Sequence, residues 1–330
     1  MDLKKLPKTE FAAAVAQIAG ERNIDVQSIL DSIELGLISA YKRDQKERGI
    51  EIAEEIQFTV ELAPETGAFK VYQVIENGKK VDVTPPGFGR IAAQTAKQVI
   101  DQKIYEAEKE TIIADYQQKI GTLLNGTVLR VDPYKITVGI GKTEGLIPKE
   151  EQIRGEMFSL GIKKLFLLKE IVTNAETTRK EIILSRKDNE FIKQLFIREV
   201  PEVANRSVKI EKIARVPGER TKVAVSSTQS GVDPVGSCIG QKGSRIQSIL
   251  NELPPGEKID VVLFSKNNAS FIVQALSPAQ NITIDSIKDG IAVVLVPEDQ
   301  LALAIGAGGE NVKLAGLLVG MEIKVQQAAV

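Results

Sequence analysis

Apolar positions in the first 120 residues follow three patterns in turn. Phe11, Val15 and Ile18 fall on one face of a short helix over 8–20. Ile29, Ile33, Leu37 and Ala40, flanked by Leu30 and Ile38, do the same over 25–43, with Asp25 placed to cap the N-terminus. Alternation of apolar and polar residues then takes over in 55–62 and 68–75, and Pro64-Glu65-Thr66-Gly67 supplies the turn of a β-hairpin. Asn77-Gly78 marks a second turn. Helical spacing returns from about 89 to 119, which predicts a helix on the order of 45 Å long. Its outward face is rich in Lys, Glu and Gln. That face suits plain solvation and equally suits a strut carrying an interaction head.

Beyond Gly121 the apolar runs shorten and glycines multiply. Strands are expected at 126–131, 135–140, 144–148, 163–172 and 180–186. Five strands in so few residues suit a small closed barrel of the OB type (S-one-like). Tyr134, Phe158 and Phe166 are candidates to stack on bases, and Arg130, Lys163, Lys164 and Lys169 to follow a phosphate backbone. Taken singly, each aromatic also suits a barrel core. A short helix over 188–198 leads through Val200-Pro201 into the next module.

The most informative stretch is 233–253. Gly240-Gln241-Lys242-Gly243 makes a tight turn that only residues without a Cβ can close, and Ile246, Ile249 and Leu250 then mark one face of a helix. A turn at a helix N-terminus offers free N–H groups and the positive end of the dipole to an anion. Lys242 and Arg245 add charge there. This is the signature of a KH-type loop, a GXXG clamp on a few nucleotides. One such loop is weak evidence, but residues 299–316 align with 233–250 without a gap. Ile239-Gly240 matches Ile305-Gly306, Gly243 matches Gly309, and Ile246 matches Val312. Downstream, Gly256-Glu257-Lys258-Ile259 matches Gly320-Met321-Glu322-Ile323, the second copy being two residues shorter. Whole modules repeated in tandem are therefore expected, with RNA contact at Gly240, Gln241, Lys242, Gly243 and Arg245, and at Gly306, Ala307, Gly308, Gly309 and Lys313.

Composition narrows the chemistry. The 330 residues are 43% hydrophobic and 26% charged, as in ordinary globular chains. No apolar run is long enough to span a membrane, and Met1–Phe11 has no apolar signal core. The absence of histidine removes imidazole bases, triads and metal ligands, and the single Cys238 removes disulfides and cysteine zinc clusters. Cys238 reads as a small buried hydrophobe. Neither metal nor cofactor is expected, and the cytoplasm is the natural compartment. Residues 1–120 carry 16 basic and 20 acidic side chains, 121–198 carry 14 and 10, 199–277 carry 10 and 8, and 278–330 carry 3 and 6. A basic middle between acidic ends points to nucleic acid at the middle and protein at the front.

The order of modules, together with Ala40–Arg43 (AYKR), AAQTAKQVI at 92–100, Ser185-Arg186, EVPEV at 199–203, ARVPGERTKVAV at 214–225, DPVGSCIGQKGSRIQ at 233–247 and QLALAIGAGGENVKLA at 300–315, resembles the bacterial NusA (N-utilisation substance A) family of transcription termination/antitermination factors. The likeness covers essentially the whole chain. It implies a multidomain α+β protein. A helical/β-hairpin domain over 1–120 ends in the long helix, an OB-type barrel covers 121–198, and two type II KH modules cover 199–277 and 278–330. It implies a non-enzymatic elongation factor. Residues 1–120 would dock on core RNA polymerase near the RNA exit channel, at the β-subunit flap. The barrel, through Arg130, Tyr134 and Phe166, and the KH loops would hold nascent single-stranded RNA. Pausing, intrinsic termination and antitermination would be modulated, with other antitermination factors as partners and a monomer as the working form.

Two departures stand out. The family usually carries a basic residue where this chain has Ala307, and the second KH module is net negative, so that module is expected to orient RNA or to pack on the first, while Lys242 supplies more of the affinity. The chain also stops at Val330, without the acidic C-terminal repeats of some relatives, so self-inhibition by such a tail is not expected. Two rival readings remain: a general RNA-binding protein of ribosome or RNA decay, and a metal-dependent nuclease. For the second, Asp233 and Asp260 are conceivable ligands, although Asp233 reads more simply as a helix cap and Asp260 as a solvent-facing strand residue.

Overall fold

The computed structural model describes residues 9–22, 24–53, 55–75, 78–175 and 179–328. The N-terminal Met1–Lys8 and Asn77 of the expected Asn77-Gly78 turn lie outside them. The chain divides into two compact units, Met1–Asp115 and Tyr116–Val330.

In the first unit, helices α1 (Glu10–Arg22) and α2 (Val26–Glu47) precede strands β1 (Gln57–Leu62), β2 (Phe69–Val74) and β3 (Lys80–Asp82). The long helix α3 (Gly89–Gln117) follows, and the boundary between the units falls inside it. Asp25 caps α2 by accepting from the Ser28 amide at 3.1 Å. The hairpin forms as its alternation predicts, and β3 adds a third antiparallel strand too short to show a period of two. Val15, Ile29, Ile33, Leu37, Val60, Val71 and Phe88 make the core, and Tyr41 sits against Phe58 and Phe88. A Cβ at Gly36 would lie 2.7 Å from Val99 Cγ2, so this glycine lets α2 and α3 approach closely.

The second unit begins with a barrel of β4 (Leu123–Val131), β5 (Lys135–Gly139), β6 (Glu144–Pro148), β7 (Lys163–Thr173) and β8 (Lys180–Ser185). They close in the order β4-β5-β6-β8-β7, with β6 and β8 parallel and the other pairs antiparallel. Closure leaves no free sheet edge. Strand β7 is apolar without alternation at Leu165-Phe166-Leu167-Leu168 because both its faces are covered. Leu165 and Leu167 pack with α4 (Asn189–Glu199) and the module beyond it, while Phe166 lies close to Gly126 and Val138 in the barrel.

Two copies of a helix–strand–strand–helix–helix–strand module follow. The first comprises α5 (Pro201–Ala204), β9 (Val208–Val216), β10 (Arg220–Ser227), α6 (Pro234–Ile239), α7 (Ser244–Asn251) and β11 (Lys258–Leu263). The second comprises α8 (Asn268–Ala275), β12 (Thr283–Lys288), β13 (Ile291–Val296), α9 (Glu298–Ile305), α10 (Glu310–Val319) and β14 (Glu322–Gln327). In each sheet the middle strand is antiparallel to the first and parallel to the last. One core joins α4, β7 and the first module. Another joins Ala214, Ala224 and Val262 of the first module's sheet to Phe271, Leu314 and Leu318 of the second.

Buried cations stitch these layers. Arg186 is fully buried, pairs with Glu156, donates to Leu165 O at 2.6 Å and to Glu252 O, and lies 5.0 Å from the Phe191 ring centre. Arg215 and Glu257, both without side-chain exposure, meet at 2.7 Å, and Arg215 also donates to Arg186 O. Lys222, equally buried, bonds Asp260 at 3.0 Å and Ser277 O at 2.7 Å. Burial pushes the Lys222 ammonium below its ordinary pKa, and the Asp260 carboxylate opposes that shift. Asp260 is thus not the solvent-facing residue expected. It is largely buried and also holds Arg220 at 2.7 Å, so both its oxygens are engaged by the protein's own cations. Among the described residues no single helix is long and apolar enough to cross a membrane.

Candidate RNA interface

The two GXXG loops have the same backbone. Gly240 adopts φ 76, ψ 173, Lys242 φ 52, ψ 26 and Gly243 φ 77, ψ 13. Gly306 adopts φ 77, ψ 168, Gly308 φ 58, ψ 16 and Gly309 φ 77, ψ 12. The first position lies in a region that essentially only glycine enters, and the third is left-handed. A Cβ at Gly240 would lie 2.7 Å from Arg245 Cγ, and one at Gly306 2.8 Å from the Asn311 amide nitrogen. The glycines therefore let each loop fold back onto its own helix. Neither α7 nor α10 receives a side-chain cap, and the first amide of each, at Ser244 and Glu310, turns back to Gln241 O and Ala307 O.

The loops differ in charge. Lys242 is exposed and holds a left-handed conformation that costs a non-glycine residue about 1 kcal/mol or more. Among the described residues it makes no ion pair. The left-handed position of the second loop that matches Lys242 is Gly308, which carries no charge. Gln241 and Ala307 are exposed partners in the same register. Ser244 is replaced by Glu310, directly at the start of α10. The Glu219 carboxyl, in the β9–β10 turn, is held above the usual carboxylate range chiefly by its hydrogen bond with the Glu310 carboxyl, while Lys313 and Arg154 pull it down. Carboxylates thus crowd the second loop where the first presents a lysine.

Arg245 is not a free cation for RNA. Its guanidinium pairs with Glu202 and donates to Ser237 O, both at 2.7 Å, so it braces the loop from behind. Its counterpart Asn311 is fully buried and donates from Nδ2 to Leu303 O, the carbonyl equivalent to that of Ser237, and also to Leu276 O and Ala304 O. Asp233 caps α6 by accepting from the Val235 amide. Its match Asp299 lies inside the first turn of α9, which starts two residues earlier in the repeat. Ile239 and Ile305, each 37% exposed beside their loops, offer apolar surface to a base.

On the barrel the expected residues separate. Tyr134 is 78% exposed in the β4–β5 turn, ready to stack, and Arg130 is exposed but paired with Asp132 at 2.8 Å. Phe166 has no exposed surface, so the expectation that it stacks on a base is withdrawn. It fills the barrel, next to Phe158 at 6.4 Å and the Arg186 guanidinium at 5.8 Å. Lys164 and Lys169 are held by Glu156 and Glu151, whereas Lys163 is exposed. Cys238 is buried, and burial pushes its thiol up to about 12. No group of three or more Asp, Glu or Cys side chains suited to a metal occurs among the described residues.

One feature escapes the sequence reading. Between α10 and the start of β14 lies a cavity of about 490 Å³, bordered by Lys313, Gly316, Leu317, Gly320, Met321 and Glu322. The spacing of Gly316 and Gly320, one turn apart at the end of a helix, was its only signal.

The NusA N-terminal domain family matches residues 10–82 and 73–110. The NusA-like first KH domain matches 186–264, and the NusA-like second KH domain matches 268–329. The chain is 36% identical over 342 residues to the transcription termination/antitermination protein NusA of Halalkalibacterium halodurans, covering 96% of this chain and 88% of that protein. It is 35% identical to the protein of that name from Bacillus subtilis, over 96% of this chain and 91% of that one. It is 34% identical to that of Thermus thermophilus, over 97% and 90%.

Proposed function

The chain belongs to the NusA family of transcription termination/antitermination proteins, and we propose that it is a non-enzymatic elongation factor that docks on RNA polymerase and grips nascent RNA. In this reading residues 1–120 contact the polymerase near the RNA exit channel, at the β-subunit flap. The barrel over 121–198 and the KH modules over 199–277 and 278–330 hold single-stranded RNA. The factor works as a cytoplasmic monomer, alone on the polymerase or alongside other antitermination factors.

The observation that carries the reading is the pair of uncapped GXXG loops with one backbone, set in a single unit with the barrel, while residues 1–115 have a core of their own. Such loops bind a few nucleotides each and bind them weakly. Docking overcomes that weakness by mass action, because a short tether holds RNA sites at an effective concentration around millimolar. Collective grip on emerging RNA then favours a hairpin and lengthens a pause, which feeds termination or antitermination.

Within this unit Lys242 supplies most of the phosphate attraction, and the second loop, with Gly308 and Glu310, orients the strand. Placing two acidic residues in each loop in turn should weaken RNA binding much more in the first, and equal losses would contradict the division. The wider reading is tested by capture of the host's core RNA polymerase with the full chain, with 1–115 and with 116–330. Retention of polymerase by the head and of RNA by the rest is the expected result. Failure of every form to retain polymerase would leave only an RNA-binding protein.

A further inference from the structure

We propose that the cavity beside α10 in the second KH module selects a guanine base in the bound RNA, through Glu322 and Lys313. The proposal rests on the RNA-holding role argued above and adds to it the identity of one nucleotide.

The cavity is an open groove large enough for a base. Gly290, Gly316 and Gly320 border it without side chains, and a Cβ at Gly316 would lie 2.8 Å from Met321 O, so the helix and the turn into β14 are in close contact there. Leu317, 62% exposed, gives it an apolar wall against which a ring can lie. Its volume of about 490 Å³ admits a purine with room for the sugar. The second GXXG loop opens the same helix, and Lys313, about one turn beyond that loop, borders the cavity.

The charges decide which base. Glu322 and Lys313 both border the cavity. A carboxylate takes a base best where two donors lie side by side, because it then accepts both in a bidentate pair. Only guanine has that edge, with N1–H beside its N2 amino group. Adenine and cytosine each set a lone-pair nitrogen beside their amino donor, and uracil flanks its one N–H with two carbonyls, so each opposes a carboxylate. The guanine O6, adjacent to N1, faces a cation, and lysine is a common donor to it. Among the described residues Glu322 is paired with Lys324 at 3.8 Å, a loose exposed pair that a ligand displaces at little cost.

The repeat supports the assignment to one module only. Glu322 and Lys258 are the paired first residues of β14 and β11, and Lys313 matches Gln247. The first module therefore has a cation where the second has its carboxylate, and cannot accept from the guanine edge.

The test titrates the full chain, by fluorescence anisotropy, with eight-nucleotide RNAs of adenosine carrying a single guanosine at each position in turn. A good bidentate contact discriminates by roughly tenfold. At one position the guanosine should tighten binding about tenfold over oligoadenosine, and inosine, which lacks the N2 amine, should recover only part of that gain. Glu322→Gln should abolish the preference, bringing the ratio of guanosine-bearing to oligoadenosine affinity to about one, with circular dichroism confirming the fold. Lys242→Ala should weaken every oligonucleotide alike and keep the preference. A guanosine gain at no position, or one that survives Glu322→Gln and Glu322→Ala, overturns the proposal while RNA binding through Lys242 stands. Absence of binding to any of these RNAs overturns the RNA-holding role and this proposal together.

Discussion

At the scale of single residues, the second unit depends on groups whose charge is buried rather than displayed. Arg186 touches Glu156, Leu165 O and Glu252 O, so truncating it leaves a buried carboxylate and two carbonyls short of a donor. Arg186→Ala should destabilise the unit by about 3–5 kcal/mol in urea unfolding. A loss under 1 kcal/mol would mean that water or Lys164 replaces it. Cys238 makes the opposite test, of a group that must stay neutral. Its thiol, raised to about 12 by burial, should not react with a disulfide reagent at pH 8 until the chain unfolds. Stability gained from the protonated thiol is complete below the unfolded value of about 8.5 and is lost as pH climbs from there toward 12. Residue roles were the least legible part of the sequence. Arg245 and Phe166 have the chemistry of RNA contacts, yet one is paired with Glu202 and the other is enclosed by the closure of the barrel. A single side chain carries no record of which way its strand or helix will face.

At the scale of elements, the GXXG turn is a backbone device first and an electrostatic one second. Gly309 has open space around its missing Cβ and a left-handed φ, so Gly309→Ala should cost about 1–2 kcal/mol. Gly306→Ala adds a collision with the Asn311 backbone in a region reserved for glycine, and thermal melts should show a clearly larger loss. Equal losses would mean that α10 shifts to accommodate the methyl. The electrostatic part is read by salt. Removing one phosphate contact from single-stranded RNA changes the slope of log K against log salt by about 0.7, so Lys242→Ala should flatten the slope by that amount. Gly308→Lys should steepen it similarly, and an unchanged slope in both would remove the loops from the phosphate path. Element types were well legible, because periods of 3.6 and 2 are written in the sequence. Both helices of the head, the hairpin, the long helix and the five barrel strands fall where the patterns put them. Strand β3, three exposed residues, carries no period and is made by its pairing with β2.

At the scale of the molecule, the two units should unfold separately. Scanning calorimetry of the full chain should resolve two transitions, and Arg186→Ala should lower only the one belonging to 116–330. A single transition that shifts as a whole would mean that the units are energetically fused. Within 116–330 the barrel and both KH modules should melt together, because α4 shares its core with β7 and the first module, and α10 packs against the first module's sheet.

The sequence by itself determined the periodic elements, the order of the modules, the repeat that relates the two loops and the family to which they belong. These depend on local spacing and on glycine's freedom at positive φ, and both can be read along a chain. Tertiary structure alone decided that Lys242 faces solvent while Arg245 braces its loop, and that Lys313 and Glu322 border one cavity. Those outcomes depend on which faces of separate elements are brought together, and the energy of that choice lies in contacts between residues far apart in the chain.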